Sequence, residues 1–339
     1  MKKAFIFVRN LTTNSPVDLK SYDFYFYSEE LTTRVLEDSP YKEVLSGNLG
    51  PRVDLVCRIL KELEDYVGKP ITGVNEETFR EVMDRHGVSH SETYLPPYET
   101  SKLENLVSYV WRPPNLGSSH VCSTFTKFHR DLKRGTSSET YVPRLKSEFQ
   151  VLSRLKRYLD NDLKGYLKKR SKLDPLTSGL APYLSLGVMS IETLLSILED
   201  STEDSQDKRE FHRQVCWATY SKIKRVPPPK SLPVLEGERE KKYLLFCSGS
   251  LPEESVVEVF VNREVNKMVR GDLISNRSRL ILSYYLIKRL GVYWEYGEHF
   301  FRSGLIDYHP KINFFNWYSQ NRNRFLSSYN LERQLEVYK

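Results

Sequence analysis

The sequence has few of the residues that mark several classes of protein. Only four cysteines occur among 339 residues, and Cys57, Cys122, Cys216 and Cys247 form no C-x-x-C pair. Such spacing argues against a disulfide scaffold and a zinc site, so we expect no metal and a reduced, intracellular protein of the cytoplasm or nucleus. No run approaches the ~20 apolar residues that span a bilayer, which predicts a soluble chain without a membrane partner.

Tryptophan is also scarce, with four residues against 22 tyrosines and 16 phenylalanines. Glycine (16) and proline (17) are too few for a low-complexity chain, and 39% hydrophobic and 28% charged residues are typical of a globular protein. The 51 basic residues exceed the 44 acidic ones by seven. This balance mildly favours a polyanionic partner, although a merely basic surface explains it equally well.

The first part of the chain alternates between two kinds of pattern. The runs Ala4 to Val8 and Asp23 to Tyr27 are short and rich in aromatic and β-branched residues, as buried strands are. Apolar residues at helical spacing follow, from Val53 to Leu63 and from Phe79 to Met83. The alternation predicts an α/β domain over residues 1–130, with a reduced, Rossmann-like parallel sheet.

Beyond a proline-, glycine- and lysine-containing passage from Trp111 to Gly135, the pattern becomes helical. One apolar stripe with basic residues opposite it comprises Leu145, Phe149, Leu152, Leu155, Leu159, Leu163 and Tyr166. Further helices are predicted over Ile191 to Leu198, Lys208 to Ile223, Ser255 to Arg270 and Asn276 to Leu290. We therefore expect an all-α domain over residues 131–339.

Three segments of this helical part carry a family likeness. They are TSGLAPYLSLGVMS from Thr177, with Tyr166 before it, FHRQVCWATY from Phe211, and the long stretch from Asn276 to Trp317. In order and spacing they resemble the flavin-binding helical domain of the DNA photolyase/cryptochrome family, from about Leu145 to Gln320. The resemblance implies FAD as cofactor, a preceding antenna-like domain and a monomer, but it assigns no antenna chromophore.

The resemblance also implies which residues hold the flavin. They are Tyr166, Thr177, Ser178, Gly179, Leu180, Gln214, Arg279, Asp307 and Asn313. Hydroxyl and backbone N–H groups of the loop from Thr177 to Leu180 would contact the pyrophosphate. An ordinary helix cap also explains that loop. Arg279 would pair with Asp307 beside the flavin ring, and Asn313 would lie near its reactive nitrogen.

Two tryptophans match members of the family's electron-transfer chain. Trp294 and Trp317, together with Asn313, are the residues to which the resemblance assigns catalysis, although core packing is the usual role of a tryptophan. The exposed third tryptophan is missing. Tyr243 or Phe246 is expected in its place.

Contacts to DNA are implied for Trp217, Gln214, Asn276 and Arg277. Trp217 would stack on a flipped-out lesion. Gln214 replaces a glutamate that hydrogen-bonds the lesion, and an amide cannot transfer a proton as that acid can. The substrate pocket therefore departs further from the family pattern than the flavin pocket does.

Three functions follow from the resemblance. The first is light-dependent repair of cyclobutane pyrimidine dimers in UV-damaged double-stranded DNA, by electron transfer from reduced FAD, as a carbon–carbon lyase (deoxyribodipyrimidine photo-lyase). The dimer is favoured over the 6-4 photoproduct because Asn276 and Leu280 stand where active-site histidines would be needed. The second is a catalytically degenerate DNA- or protein-binding module, and the third is a cryptochrome-like photosensor.

Overall fold

The computed structural model describes residues 2–15, 17–36, 38–94, 102–111, 125, 141–174, 177–201, 205–224, 232, 234–322 and 329–338. The chain divides into two compact units. The first comprises Met1–Val35, Val53–Lys164 and Ser178–Ile223. The second comprises Leu36–Arg52, Gly165–Thr177 and Lys224–Lys339. The predicted domain boundary between residues 130 and 131 stays a prediction.

A parallel sheet lies in the first unit. Its strands are β1 (Lys2–Phe7), β2 (Phe24–Ser28), β3 (Ile71–Val74), β4 (Val88–Tyr94) and β5 (Tyr109–Trp111). They are arranged in the order β3-β2-β1-β4-β5, and every adjacent pair is parallel. This order is typical of a doubly wound nucleotide-binding fold, so the predicted Rossmann-like sheet is confirmed. Its central strand is fully buried from Ala4 to Phe7.

Helices make up most of the remaining described chain. In chain order they are α1 (Lys42–Ser46), α2 (Gly50–Val67), α3 (Phe79–His86), α4 (Lys146–Arg157), α5 (Tyr166–Lys169), α6 (Ala181–Ser185), α7 (Ile191–Asp200), α8 (Gln206–Ile223), α9 (Gly237–Cys247), α10 (Val256–Val269), α11 (Asn276–Tyr284), α12 (Trp294–Gly304), α13 (Pro310–Asn321) and α14 (Leu331–Val337). Wider π-helical turns extend α4 over Tyr158–Asp162 and α11 over Tyr285–Arg289. None of the helices in the described ranges is both long and apolar enough to cross a membrane.

The predicted apolar stripe of α4 is confirmed in part, since Leu145, Leu155 and Leu163 are buried. Phe149 is 54% exposed, however, and Val151 and Tyr158 are buried instead. The reason is Glu148, which is fully buried at the start of the helix. Its carboxylate accepts hydrogen bonds that fix which face of α4 turns inward.

The Glu148 carboxylate holds the loop after β1 against the start of α4. It accepts hydrogen bonds from the Thr12 hydroxyl and the Thr13 N–H, both at 2.6 Å, and from the Arg144 N–H at 2.7 Å. These donors satisfy a buried charge that would otherwise be costly. The Leu145 N–H donates to the same carboxylate at 3.1 Å.

The turn after α6 packs on the same loop. Gly187 has φ +71°, and a Cβ there would lie 1.9 Å from the Arg9 carbonyl oxygen. The Leu11 N–H donates to the carbonyl of Leu186 at 3.0 Å. This position requires glycine because both the conformation and the contact exclude a side chain.

Candidate functional site

An ion pair in the second unit joins α11 to the turn before α13. The Ser275 hydroxyl caps α11 by accepting from the Ser278 N–H at 2.9 Å. One turn into the helix, Nη2 of Arg279 donates to both carboxylate oxygens of Asp307, at 2.9 and 2.8 Å. Only 9% of the Asp307 side chain is exposed. The two residues expected to pair therefore do so.

Asn313 lies on α13, and its side-chain amide is hydrogen-bonded to a residue of α12. Its Nδ2 donates to Oε1 of Glu298 at 3.0 Å and to the Glu298 carbonyl at 3.2 Å. The other carboxylate oxygen of Glu298 accepts from Arg302 at 2.5 and 3.1 Å. Glu298 is only 2% exposed, so this buried carboxylate fixes the orientation of the Asn313 amide.

Sequence reasoning missed Glu298 and Arg302. The available signal was their i,i+4 spacing on α12, which places an acid and a base on one helix face. Next to them, burial and the charge of Arg302 lower the pKa of His299 below 6.5. His299 is 5% exposed and stands 4.0 Å from Glu298.

The two predicted electron-transfer tryptophans lie along the seam between α12 and α13. Trp317 is 2% exposed and packs its ring on Gly297, with the Phe301 ring edge-on at 4.9 Å between centroids. Trp294 stands one helical turn before Gly297, so its side chain projects from the same face of α12. It is 9% exposed.

Neither candidate for the exposed end of the electron chain reaches solvent. Tyr243 and Phe246 are both fully buried on α9. The Tyr243 hydroxyl donates to the carbonyl of Tyr296 at 3.0 Å, and burial raises its pKa well above 10.0. Neither residue therefore supplies an exposed end to the electron-transfer chain, because their face of the helix turns into the core.

In the predicted pyrophosphate loop, Thr177 belongs to the second unit and Ser178 to Leu180 belong to the first. Gly179 has φ +64°, and a Cβ there would lie 2.3 Å from Nη1 of Arg154. That nitrogen donates to the Gly179 carbonyl at 3.4 Å. Arg154, on the exposed face of α4, is thus a cation beside the loop that sequence reasoning missed. Thr177 is exposed and Ser178 half-buried.

Tyr166 begins α5 in the second unit and is half-buried. The other predicted contacts from the first unit lie on α8. Gln214 is half-buried there, and its amide donates to Glu210 at 2.8 Å.

The indole ring of Trp217 is stacked against another aromatic ring in this structure. The Phe125 ring lies parallel to it, 5° from coplanar and 4.0 Å between centroids. The Tyr220 ring meets the indole edge-on at 5.3 Å. The stacking surface expected for a lesion is therefore covered on one side by the chain's own phenylalanine.

The two predicted DNA contacts at the start of α11 differ in their surroundings. Asn276 is exposed. Arg277 lies 3.7 Å over the ring of Tyr338 and donates to Gln334 at 3.2 Å. Its guanidinium is thus engaged by the end of α14 and the residue after it, which sequence reasoning did not foresee.

Two unpaired hydrogen-bond donors, one at the ion pair and one at Trp317, fit a flavin. Nε of Arg279 and Nε1 of Trp317 are buried and have no hydrogen-bond partner among the residues described. Buried donors of this kind call for acceptors, and the carbonyl and imine atoms of an isoalloxazine ring are acceptors. In the first unit, Arg154 is a cation beside the predicted pyrophosphate loop, and guanidinium groups pair well with phosphate.

The parallel sheet and these helices define the class of proteins that join an α/β domain to a helical flavin-binding domain. Comparison with known families agrees, since residues 263–336 match the model of the FAD binding domain of DNA photolyase. Over these residues the chain is therefore similar to the DNA photolyase/cryptochrome family, and the match indicates FAD as the cofactor.

Two curated relatives are similar to part of the chain. A deoxyribodipyrimidine photo-lyase of Alkalihalophilus pseudofirmus is 26% identical over 176 residues, which are 50% of this chain and 36% of the relative. A cryptochrome DASH of Vibrio parahaemolyticus is 24% identical over 210 residues, which are 56% of this chain and 46% of the relative. The matches thus span less than half the length of these relatives.

Solved structures share the fold along the whole chain. A bacterial class III photolyase from Agrobacterium tumefaciens has a TM-score of 0.68 at 17% identity and covers 100% of this chain and 84% of its own. An archaeal photolyase from Sulfolobus tokodaii, solved with two FAD molecules, has a TM-score of 0.68 at 18% identity and covers 100% and 87%. At these identities the likeness establishes the fold.

Proposed function

We propose that this protein repairs cyclobutane pyrimidine dimers in DNA by light-driven electron transfer. When bound, reduced FAD supplies the electron on excitation and receives it back after the dimer has split. The observation that carries the proposal is the partly buried Arg279 and Asp307 pair, in which Nε of Arg279 is buried and has no hydrogen-bond partner among the described residues. An ion pair that is taken partly out of water adds little to stability by itself, whereas a free donor next to it suits a flavin.

The residues of the second unit have separate tasks. Arg279 would hold a positive charge next to the flavin ring, and Asp307 balances that charge and orients the guanidinium by accepting hydrogen bonds from Nη2. The Asn313 amide donates its N–H to Glu298, so its side-chain oxygen would be able to accept a hydrogen bond from a ring N–H of the flavin. This orientation would favour the reduced flavin, whose ring carries such an N–H.

On the DNA side, the proposal assigns lesion stacking to Trp217 and hydrogen bonding to Gln214. The amide of Gln214 donates and accepts without transferring a proton. We therefore propose that dimer splitting in this protein proceeds without a proton from that position. Phe125 covers one face of Trp217, so a flipped base would either stack on the other face or displace the phenylalanine.

A second function, flavin photosensing without repair, is favoured by the same stack. The Phe125 ring already occupies one face of Trp217, and Gln214 is held by Glu210. A photosensor needs neither residue free. The third hypothesis, a binding module without catalysis, requires that the protein hold no flavin.

One pair of measurements separates the three functions. The absorption spectrum of purified protein gives its FAD content, and illumination with a reductant tests whether dimer-containing duplex regains its absorbance. Repair that depends on both light and flavin supports the first function, with the dark reaction and undamaged duplex as controls. FAD without repair leaves the photosensor. Salt-sensitive duplex binding without FAD leaves the module.

A further inference from the structure

A tyrosine outside the predicted site touches Trp294. Tyr318 follows Trp317 on α13, and its ring meets that of Trp294 edge-on, 6.0 Å between centroids and 73° between planes. The side chain is half-buried, and its hydroxyl accepts a hydrogen bond from the exposed Arg322 at 2.6 Å.

Exposure rises in order along these three rings. Trp317 is 2% exposed, Trp294 is 9% exposed, and Tyr318 is half-buried. Indole and phenol are the protein side chains that give up one electron most readily. An oxidisable ring that combines contact with Trp294 and access to solvent is what the surface end of an electron path requires.

Loss of an electron from a phenol is coupled to loss of its proton, so the proton needs a way out. Arg322 donates to the Tyr318 oxygen and leaves the hydroxyl proton to water. Tyr243 lacks that route, because it is fully buried with its hydroxyl given to a backbone carbonyl. Both the route for the proton and the exposure to solvent therefore favour Tyr318 over Tyr243 as the electron donor.

We propose that Tyr318 is the surface electron donor to Trp294. The inference rests on the proposed function, because the FAD must first be reduced: its oxidised form, when bound and excited by light, would be the oxidant that takes one electron through the tryptophans. The oxidised Trp294 cation takes one electron from the Tyr318 phenol, whose O–H bond breaks and whose proton goes to water. The products are neutral Trp294 and a Tyr318 phenoxyl radical, which an external thiol reduces by giving up a hydrogen atom.

The test generates the tryptophan radical without flavin. Azide radicals from pulse radiolysis oxidise tryptophan in the full chain, in which Trp111→Phe and Trp217→Phe leave only Trp294 and Trp317 to react. We expect the tryptophan-radical absorption to give way to the tyrosyl band at a rate independent of protein concentration. Tyr318→Phe, which keeps the ring and removes the hydroxyl, should abolish this phase.

Matched variants make the assignment specific. Tyr293→Phe changes a 41% exposed tyrosine that neighbours Trp294 in sequence, and the phase should persist in it. A phase that survives in Tyr318→Phe, or that disappears in Tyr293→Phe or Tyr243→Phe, overturns the proposal. The readout uses no flavin, so absence of FAD or of repair would contradict the proposed function while leaving this measurement able to judge Tyr318.

Discussion

The indole ring of Trp317 lies directly on the backbone of Gly297. A Cβ at Gly297 would be 2.2 Å from Cη2 of that ring, closer than any real side-chain contact. The absence of a side chain on α12 thus sets how near Trp317 comes to the helix that carries Trp294. The spacing of the proposed electron path depends on this glycine.

Gly297→Ala should therefore destabilise the protein, although alanine is the better helix former. We expect a net loss of about 1–3 kcal/mol, as is typical of an overpacked core. Urea unfolding followed by tryptophan fluorescence measures it. Gly47→Ala is the matched control, since a Cβ there meets nothing within 4 Å, and it should be neutral or slightly stabilising. Equal stability of Gly297→Ala and the parent would contradict the close contact.

Asp307→Asn should lower both the stability of the protein and the amount of FAD that it retains. Removing one partner of a buried ion pair costs about 3–5 kcal/mol, and we expect the lower end because the Arg279 side chain is 23% exposed. Thermal or urea unfolding gives the stability, and the absorption spectrum gives the FAD retained. Glu81→Gln breaks the exposed pair with Arg85 and should cost less than about 1 kcal/mol. Similar losses in the two variants would argue against a special role for Asp307.

The lowered pKa of His299 predicts a loss of stability in mild acid. Its pKa lies below 6.5 in the folded protein, so below that pH the unfolded chain binds the proton more tightly. The stability is complete above pH 6.5 and falls as the pH drops, by at most about 1.4 kcal/mol per unit for one proton. Urea unfolding between pH 5 and 8 checks this.

His299→Phe should remove that component of the pH dependence, whereas His86→Gln, a change on α3 of the first unit, should leave it in place. An unchanged slope in His299→Phe would assign the acid sensitivity to other groups. Glu298, Arg302 and Asp38 face His299 and their charges contribute to its pKa.

Phe125→Ala should uncover one face of Trp217. Loss of a parallel ring at 4.0 Å should increase quenching of Trp217 fluorescence by acrylamide, measured in a background with the other tryptophans changed to phenylalanine. If the protein binds dimer-containing DNA, this variant should keep or strengthen its preference for damage, and Trp217→Ala should lose it. A damage preference that Trp217→Ala leaves intact would contradict lesion stacking.

The parts of the fold that could be predicted are those indicated by the spacing of apolar residues within a single segment. The apolar runs of β1 and β2 and the helical repeats of α2 and α3 each indicate their structure within one segment. Strand β4 does not, because its sequence VSHSETY is mostly polar. Its burial depends on partners, such as the Tyr22 hydroxyl that donates to Glu92 at 2.8 Å.

The same limit applies to the site. Arg279 and Asp307 could be paired in advance because both lie in motifs of the family. The bond from Asn313 to Glu298 joins residues fifteen apart on two helices, and no local pattern indicates it. Phe125 on Trp217 and Tyr338 on Arg277 are likewise products of tertiary packing, which a single sequence does not encode in any one segment.

The hydrogen bonds to Glu148 affect how the protein unfolds. If α4 separated from the loop after β1, a carboxylate would lose the Thr12 and Thr13 donors that make its burial tolerable. We therefore expect the sheet and α4 to open as one cooperative unit in hydrogen exchange, with common protection. A fragment ending near residue 130 would leave those donors without their acceptor, and its sheet would exchange faster than in the whole chain.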